Sequence, residues 1–391
     1  MKIKFMVLPL GLIALGGLFF APEEPPSRPT PTHVYVYSKK RVDKQVPVVN
    51  TVLAQGNQEE NPSLFQYLAD SKIDSKPIQP GTAAYREQVP RVAAFLQKFP
   101  GALDEAGALI LSDHVHLYTK WMLLEAIGSY TPSSEAHALL RRLASNPSLE
   151  EDVLITLVSV FGLAVDIPED SIDYLKERSR EPDRLGRVAL STMGRVAGVI
   201  QNKDPASASR IVSILSARLR DQERLGKSNE VASILEALGN SGDRHIVSRI
   251  WPFVDHSNSR VRGAALVTLG ALDPDGSEAL LRLALKQDPD PWVRMEAIEA
   301  LMPVPNGVPD EQVANAVRMS EGTLSDLIQV VENDESERVR LGVLDAFHEI
   351  YETPPPRVTE TLRTIAKTDS SNHVREMAGW YLEYGYFLSG R

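Results

Sequence analysis

One short pattern returns four times in the C-terminal part of the chain, and it constrains the fold more than any other feature. It reads Ser259-Arg260-Val261-Arg262-Gly263-Ala264-Ala265-Leu266, then Pro291-Trp292-Val293-Arg294-Met295-Glu296-Ala297-Ile298. The third and fourth copies are Glu337-Arg338-Val339-Arg340-Leu341-Gly342-Val343-Leu344 and Asn372-His373-Val374-Arg375-Glu376-Met377-Ala378-Gly379. Four residues past each valine stand Ala265, Ala297, Val343 and Ala378; eight past stand Leu269, Leu301, Phe347 and Leu382. Positions 0, +4 and +8 share one side of an α-helix, and a small middle residue lets a neighbouring helix come close. The arginine at +1 sits about 100° away from that stripe.

An acidic residue stands six or seven positions before each arginine: Asp255, Asp288, Asp334 and Asp369 before Arg262, Arg294, Arg340 and Arg375. The valines recur at intervals of 32, 46 and 35 residues. The first interval has room for one further helix, Ser277 to Leu285, and the second for Asp310 to Ser320 and Thr323 to Val331. Helical hairpins of this size cannot bury their own apolar faces, so neighbours must stack into a continuous core.

The helical pattern extends upstream. Ser133 to Ser145 sets Ala136, Leu139, Leu140 and Leu143 on one face. Ser148 and Glu151 have the spacing of a capping box ahead of the apolar run Val153 to Val165. Asp166-Ile167-Pro168-Glu169 opens another helix, and Pro182 separates it from Asp183 to Gln201. Asp204 to Asp221, Ser228 to Leu238 and Arg244 to Val254 follow. Pro90, within the helical stretch Thr82 to Phe99, predicts a kink or a split there.

From Arg244 to the C-terminus, the valine-arginine pairs and turn aspartates resemble HEAT-type repeats, particularly the short bacterial variety. That resemblance implies that aspartates and arginines of successive repeats interleave in a ladder within the turns, a structural role that falls here on Asp255, Arg262, Asp288, Arg294, Asp334, Arg340, Asp369 and Arg375. Further upstream, three stretches look alike: Leu123-Leu124-Glu125-Ala126-Ile127-Gly128, Arg187-Val188-Ala189-Leu190-Ser191-Thr192-Met193-Gly194, and Ile234-Leu235-Glu236-Ala237-Leu238-Gly239-Asn240-Ser241-Gly242. Over about Tyr118 to Leu272 they resemble the helical superhelix of the large lipid transfer proteins, the vitellogenin and microsomal triglyceride transfer protein family. There the superhelix supports β-sheets that enclose lipid, and this chain has only Pro22 to Glu60 ahead of its helices. The resemblance therefore implies the superhelix and does not carry lipid transport with it.

Lys2 and Lys4 precede an uncharged run from Phe5 to Ala21, the layout of a secretory signal. Two readings of 1–21 stand side by side: a cleaved signal peptide, or a retained membrane anchor somewhat short against the roughly 17–25 residues of a spanning helix. Either one exports the body to the periplasm or leaves it tethered to the inner membrane and facing the periplasm. Five prolines between Pro22 and Pro31 make 22–60 a tether, in which His33 to Tyr37 alternates as a hairpin strand or a solvated linker would.

A net charge of −10 argues against a nucleic-acid partner, which calls for a basic face. The absence of cysteine removes disulfides, thiol nucleophiles and thiolate zinc sites. His114-Val115-His116 beside Asp113 is better read as a solvated helix end than as a metal site, and no phosphate-binding glycine loop or nucleophile elbow occurs. The aromatic residues Trp251, Trp292, Trp380, Tyr381, Tyr384, Tyr386 and Phe387 read as core or end cap. The chain is thus expected to be an all-α, α-α superhelix (a HEAT-like solenoid) behind 1–21 and 22–60, with an N-terminal superhelix over 61–243 and HEAT-like repeats over 244–391. The expected function is that of a non-catalytic scaffold without cofactor or metal, binding a protein partner along its concave face. The alternative is a carrier of lipid or another apolar ligand.

Overall fold

The computed structural model describes residues 62–71, 78–99, 101–130, 134–164, 166–302, 319–351 and 353–385. The signal or anchor, the linker with its hairpin, Tyr386, Phe387 and nearly all of the helix read at Asp310 to Ser320 lie outside the described residues. Among the described residues there is no strand, and no helix is long and apolar enough to cross a membrane.

Two compact units make up the described chain, one ending at Leu301 and the other starting at Met302. The first contains α1 (Leu64–Asp70), α2 (Ala83–Lys98), α3 (Ala102–Leu111), α4 (Leu117–Tyr130), α5 (Ser134–Ala144), α6 (Glu151–Val160) and α7 (Glu169–Arg178). It continues with α8 (Arg184–Ile200), α9 (Pro205–Arg224), α10 (Ser228–Asn240), α11 (Val247–Ile250), α12 (Ser259–Leu272), α13 (Pro274–Gln287) and α14 (Pro291–Leu301). Helices α2, α4, α6, α8, α10, α12 and α14 pack each against the next in one inner row, and α1, α3, α5 and α7 lie against one another in an outer row.

Residue pattern separates the rows. Outer helices such as α5 and α9 are amphipathic, burying Ala136, Leu139, Leu140 and Leu143, or Ala208, Ile211, Leu215 and Leu219, while their other faces are wet. Inner helices α4, α8 and α10 are buried on nearly every side: in α8 the residues outside the core form one line through Arg187, Ser191 and Arg195. Each fully buried leucine or valine of this row contributes about 1.5–3 kcal/mol.

Glycine sets the inner spacing. A Cβ on Gly194 of α8 would stand 1.9 Å from the Ala237 carbonyl oxygen of α10. One on Gly128 of α4 would meet the Val160 side chain of α6 at 2.7 Å, and one on Gly270 of α12 the Ala300 carbonyl of α14 at 2.8 Å. Gly194, Gly128 and Gly270, in Met-Gly, Ile-Gly and Leu-Gly steps of the sequence, are therefore points where neighbouring helices nearly touch, which no larger residue permits.

The second unit comprises α15 (Glu321–Asn333), α16 (Glu337–Ile350), α17 (Pro356–Thr368) and α18 (Asn372–Trp380), followed by a π-helical turn, Tyr381–Gly385. These are two hairpins, stacked so that α15 meets α17 and α16 meets α18. Val339, Val343, Phe347, Val374 and Ala378 are fully buried, as are Val261, Ala265, Leu269, Val293 and Ala297 in the first unit.

Two local expectations are corrected, and of the two alternatives at Pro90 the split is excluded. Pro90 does not split its helix: α2 runs through it unbroken, held by Val89, Val92, Ala93 and Leu96 packed beneath. The capping box at Ser148 and Glu151 does not form; α6 begins after Glu150 without a side-chain cap, and the backbone N–H and hydroxyl of Ser148 instead donate to Asn146 Oδ1 at 3.0 and 2.8 Å. Arg244 to Val254 is not one helix but a 3-10 turn, the four-residue α11 and a second 3-10 turn containing Pro252, whose missing N–H interrupts the α ladder.

Candidate binding face and turn ladder

Turn chemistry holds the hairpins in register. In three copies the turn aspartate bends the chain back on itself. Its Oδ1 accepts the backbone N–H two residues on: Asp290 to Asp288 at 2.9 Å, Ser336 to Asp334 at 2.8 Å and Ser371 to Asp369 at 2.7 Å. Its carbonyl oxygen accepts from the arginine six residues on: Arg294 Nη1 to Asp288 at 2.9 Å, Arg340 Nη1 to Asp334 at 2.7 Å, and Arg375 Nη1 to Asp369.

Two arginines also reach forward to the next hairpin. Arg262 donates through Nε and Nη2 to both oxygens of Asp288 at 2.9 and 2.8 Å, and Arg340 does the same to Asp369 at 2.9 Å each. The second pair is nearly dry, its side chains 8% and 4% exposed. Arg340, the turn N–H of Ser371 and Arg375 together outweigh burial and hold the Asp369 carboxyl below its ordinary pKa.

The first copy departs from this register. Six residues before Arg262 stands His256, not Asp255; its carbonyl accepts Arg262 Nη1 at 2.9 Å and its Nδ1 accepts the Asn258 N–H at 3.0 Å. His256 thus occupies the turn position, and Asp255 ends the preceding 3-10 turn one residue away. An imidazole nitrogen can take the turn N–H as a carboxylate does, so the hairpin keeps its shape without an aspartate.

A different set of residues forms an open line along the inner row of the described helices. Its level is set by a shared triplet, Glu125-Ala126-Ile127 on α4, Glu236-Ala237-Leu238 on α10 and Glu299-Ala300-Leu301 on α14. Burial is the main cause lifting all three carboxyls. Glu125 is pushed up to about 7 with the Tyr85 hydroxyl pulling the other way; Glu236 is also pushed up to about 7, with Arg260 opposing and Glu299 adding. The stripes adjoin: Asn240 Nδ2 on α10 donates to Ser191 Oγ on α8 at 3.2 Å. A Cβ on Gly263 of α12 would touch Glu296 of α14 at 2.9 Å.

Arg195, one helical turn beyond Ser191, also lies on this line. Its Nε is buried without a hydrogen-bond partner, its Nη2 is 3.5 Å from Thr192 Oγ1, and no carboxylate among the described residues lies within 4.0 Å. Burial lowers its pKa from the usual arginine value. The sequence reading passed over Arg195, Glu125, Glu236 and Glu299; the available signal was a charged residue inside an otherwise apolar helix.

Elsewhere, a cleft of about 520 Å³ lies among α7, α8, α9 and α10, where Lys176, Arg180, Arg218 and Lys227 surround the apolar Leu190 and Met193. His114 and His116 are exposed, His116 Nδ1 accepting the Tyr118 N–H at 3.2 Å, and no metal-ligating cluster occurs among the described residues. Tyr381 is buried, donates to Asp345 Oδ1 at 2.6 Å and stacks on His348 at 4.6 Å, with Trp380 edge-on to both rings. Trp251 is 38% exposed.

The two rows of short antiparallel helices, locked at their turns, define an all-α repeat protein of the solenoid class. A family model described as HEAT repeats matches residues 215–302 and 252–322. No curated protein sequence matches the chain. Among solved structures it is similar to lipovitellin, with 14% identity and a TM-score of 0.43 over 83% of this chain and 33% of that one. It thus spans a third of lipovitellin's length. It is also similar to the CpcE–CpcF phycocyanin lyase complex of Nostoc, with 18% identity, a TM-score of 0.36, and 64% and 94% of the two chains covered. Human deoxyhypusine hydroxylase matches at 19% identity and a TM-score of 0.29, with 74% and 99% covered.

Proposed function

We propose that this chain is an exported, non-catalytic scaffold that binds a protein partner along the open line of its inner helices. The observation that carries the reading is the state of the charges on that line. Glu125, Arg195 and Glu236 are drawn out of water, yet no described residue gives any of them an ion-pair partner within 4.0 Å. Dehydrating an uncompensated charge costs several kcal/mol, and a partner bringing opposite charges offsets that cost on binding. Closely set inner helices also give the line a rigid floor, so little ordering entropy remains to be lost. Export rests on the charged-then-apolar layout of 1–21.

Site-specific photo-crosslinking in cells tests this. Probes at Thr156, Ser191 and Val267, on the inner line, should give a discrete protein adduct that probes at Ser209 and Ala279, on outer helices, do not. Equal adducts from both sets would sink the reading. Solvent extraction of the purified full chain supplies the second arm: lipid at defined stoichiometry would replace the scaffold with an apolar-ligand carrier.

A further inference from the structure

Resting on the scaffold reading, we propose that Arg195 is the anchor of the inner line and receives an acidic side chain of the protein partner. Several other part-buried arginines have carboxylate partners within the chain. Arg141 meets Asp170 at 2.5 Å and Ser171 Oγ at 2.6 Å, and Arg178 meets Asp183 at 2.6 Å. Arg262 and Arg340 each hold an aspartate in a two-point fork. Among the described residues Arg195 has only the 3.5 Å approach to Thr192, and its Nε is buried and unbonded.

Its position is built by its neighbours. Gly162, just after α6, lies against the arginine; a Cβ there would stand 3.2 Å from both Arg195 Cβ and Nε. The missing side chain leaves the guanidinium's stem a channel between α6 and α8. A guanidinium set this way presents donors in a plane that fits a carboxylate at two points.

Two observations favour a protein carboxylate over a phosphate group. The line also bears Glu125, Glu236 and Glu299, whose carboxyls are already lifted by burial; a group carrying close to two negative charges would push them further toward the neutral acid and gains nothing from them. A lysine or arginine flanking the acidic residue would draw those same carboxyls into their charged form, so a bound partner makes the face negative, positive, negative at α4, α8 and α10. The complementary segment is basic, acidic, basic.

The test is a random peptide library displayed and selected against the immobilised full chain, with enriched peptides synthesised and their contacts mapped by crosslinking. Peptides on the inner line should contain Asp or Glu flanked by Lys or Arg. Replacing that acid by its amide should weaken binding about 30-fold or more. Arg195→Gln should abolish the preference for acid over amide while melting no lower than wild type, and Arg195→Lys should restore part of it. Peptides that bind the line with no dependence on the acid or on Arg195 overturn the anchor and leave the scaffold standing. Selection that yields nothing on the line overturns both. Arg195→Gln melting several degrees lower overturns the anchor by making the side chain a structural bond.

Discussion

Replacing Arg340 by methionine isolates what the turn ladder contributes. The arginine fills a nearly dry site, donating twice to Asp369 at 2.9 Å and once to the Asp334 carbonyl at 2.7 Å. Methionine keeps much of the apolar stem but leaves Asp369, 4% exposed, with the Ser371 N–H and the field of Arg375 and without the cation bonded to it. Stranding one member of a buried pair costs about 3–5 kcal/mol. For a unit of 60–100 residues each kcal/mol is worth about 4–8 °C, so a fall of at least about 12 °C follows. Hydrogen exchange of α18, followed by mass spectrometry, reads the loss where it occurs, and urea unfolding gives its size. The double variant Arg340→Met, Asp369→Leu should recover much of the loss, because neither charge then remains buried. The pH dependence has a definite sign. Asp369 has a folded pKa below its unfolded value of about 3.9, so its contribution is present above that pH and disappears as pH falls through the folded value. In Arg340→Met the carboxyl loses the bond that lowered its pKa, so the gap from wild type should narrow below about pH 4. A single variant within about 1 kcal/mol of wild type, with no recovery in the double, would refute the claim that the fork locks successive hairpins.

Two further perturbations probe the inner row. Gly194→Ala puts a methyl group 1.9 Å from the Ala237 carbonyl and should cost about 3 kcal/mol or more in thermal unfolding, whereas Gly379→Ala, with nothing within 4 Å, should be neutral or slightly stabilising; equal effects would mean that α8 and α10 are not in close contact. Glu236, pushed up to about 7, keeps its proton in the folded chain after the unfolded chain has lost it at about 4.3, so stability should fall as pH rises between those values. Glu236→Gln, which leaves Arg260 and Glu299 in place around it, should therefore melt above wild type at pH 8 and level with it at pH 4; no difference at pH 8 would show the carboxylate to be well solvated.

Helix, repeat and polarity of each helix are local properties, and they are legible in this sequence. The valine-arginine pattern returned four times, with apolar residues at a helical period, and the positions 0 and +4 it marked are buried. Asp183, Asp204 and Ser320 each cap a helix with a side-chain oxygen, an arrangement that depends on only a few neighbouring residues. Where a local rule competed with packing, packing prevailed: Pro90 remains inside α2 because the residues around it are buried against α4 and α3. Spacing alone could not choose between Asp255 and His256, since both lie within one residue of the register and only the path of the turn tells them apart.

The open line was invisible for a related reason. Glu125, Arg195 and Glu236 each look like an ordinary charged residue on a helix, and sequence periodicity cannot say which side of that helix a neighbour will cover. Stacking covers it: once α6, α8 and α10 lie side by side on glycine contacts, the remaining exposed stripe is narrow and the charges on it are partly dried. The sequence by itself determined helices, caps and the repeat, because those depend on residues within a turn or two of one another. The tertiary structure decided which charges are paired and which are left for a partner, because desolvation depends on chains brought together from dozens of residues apart.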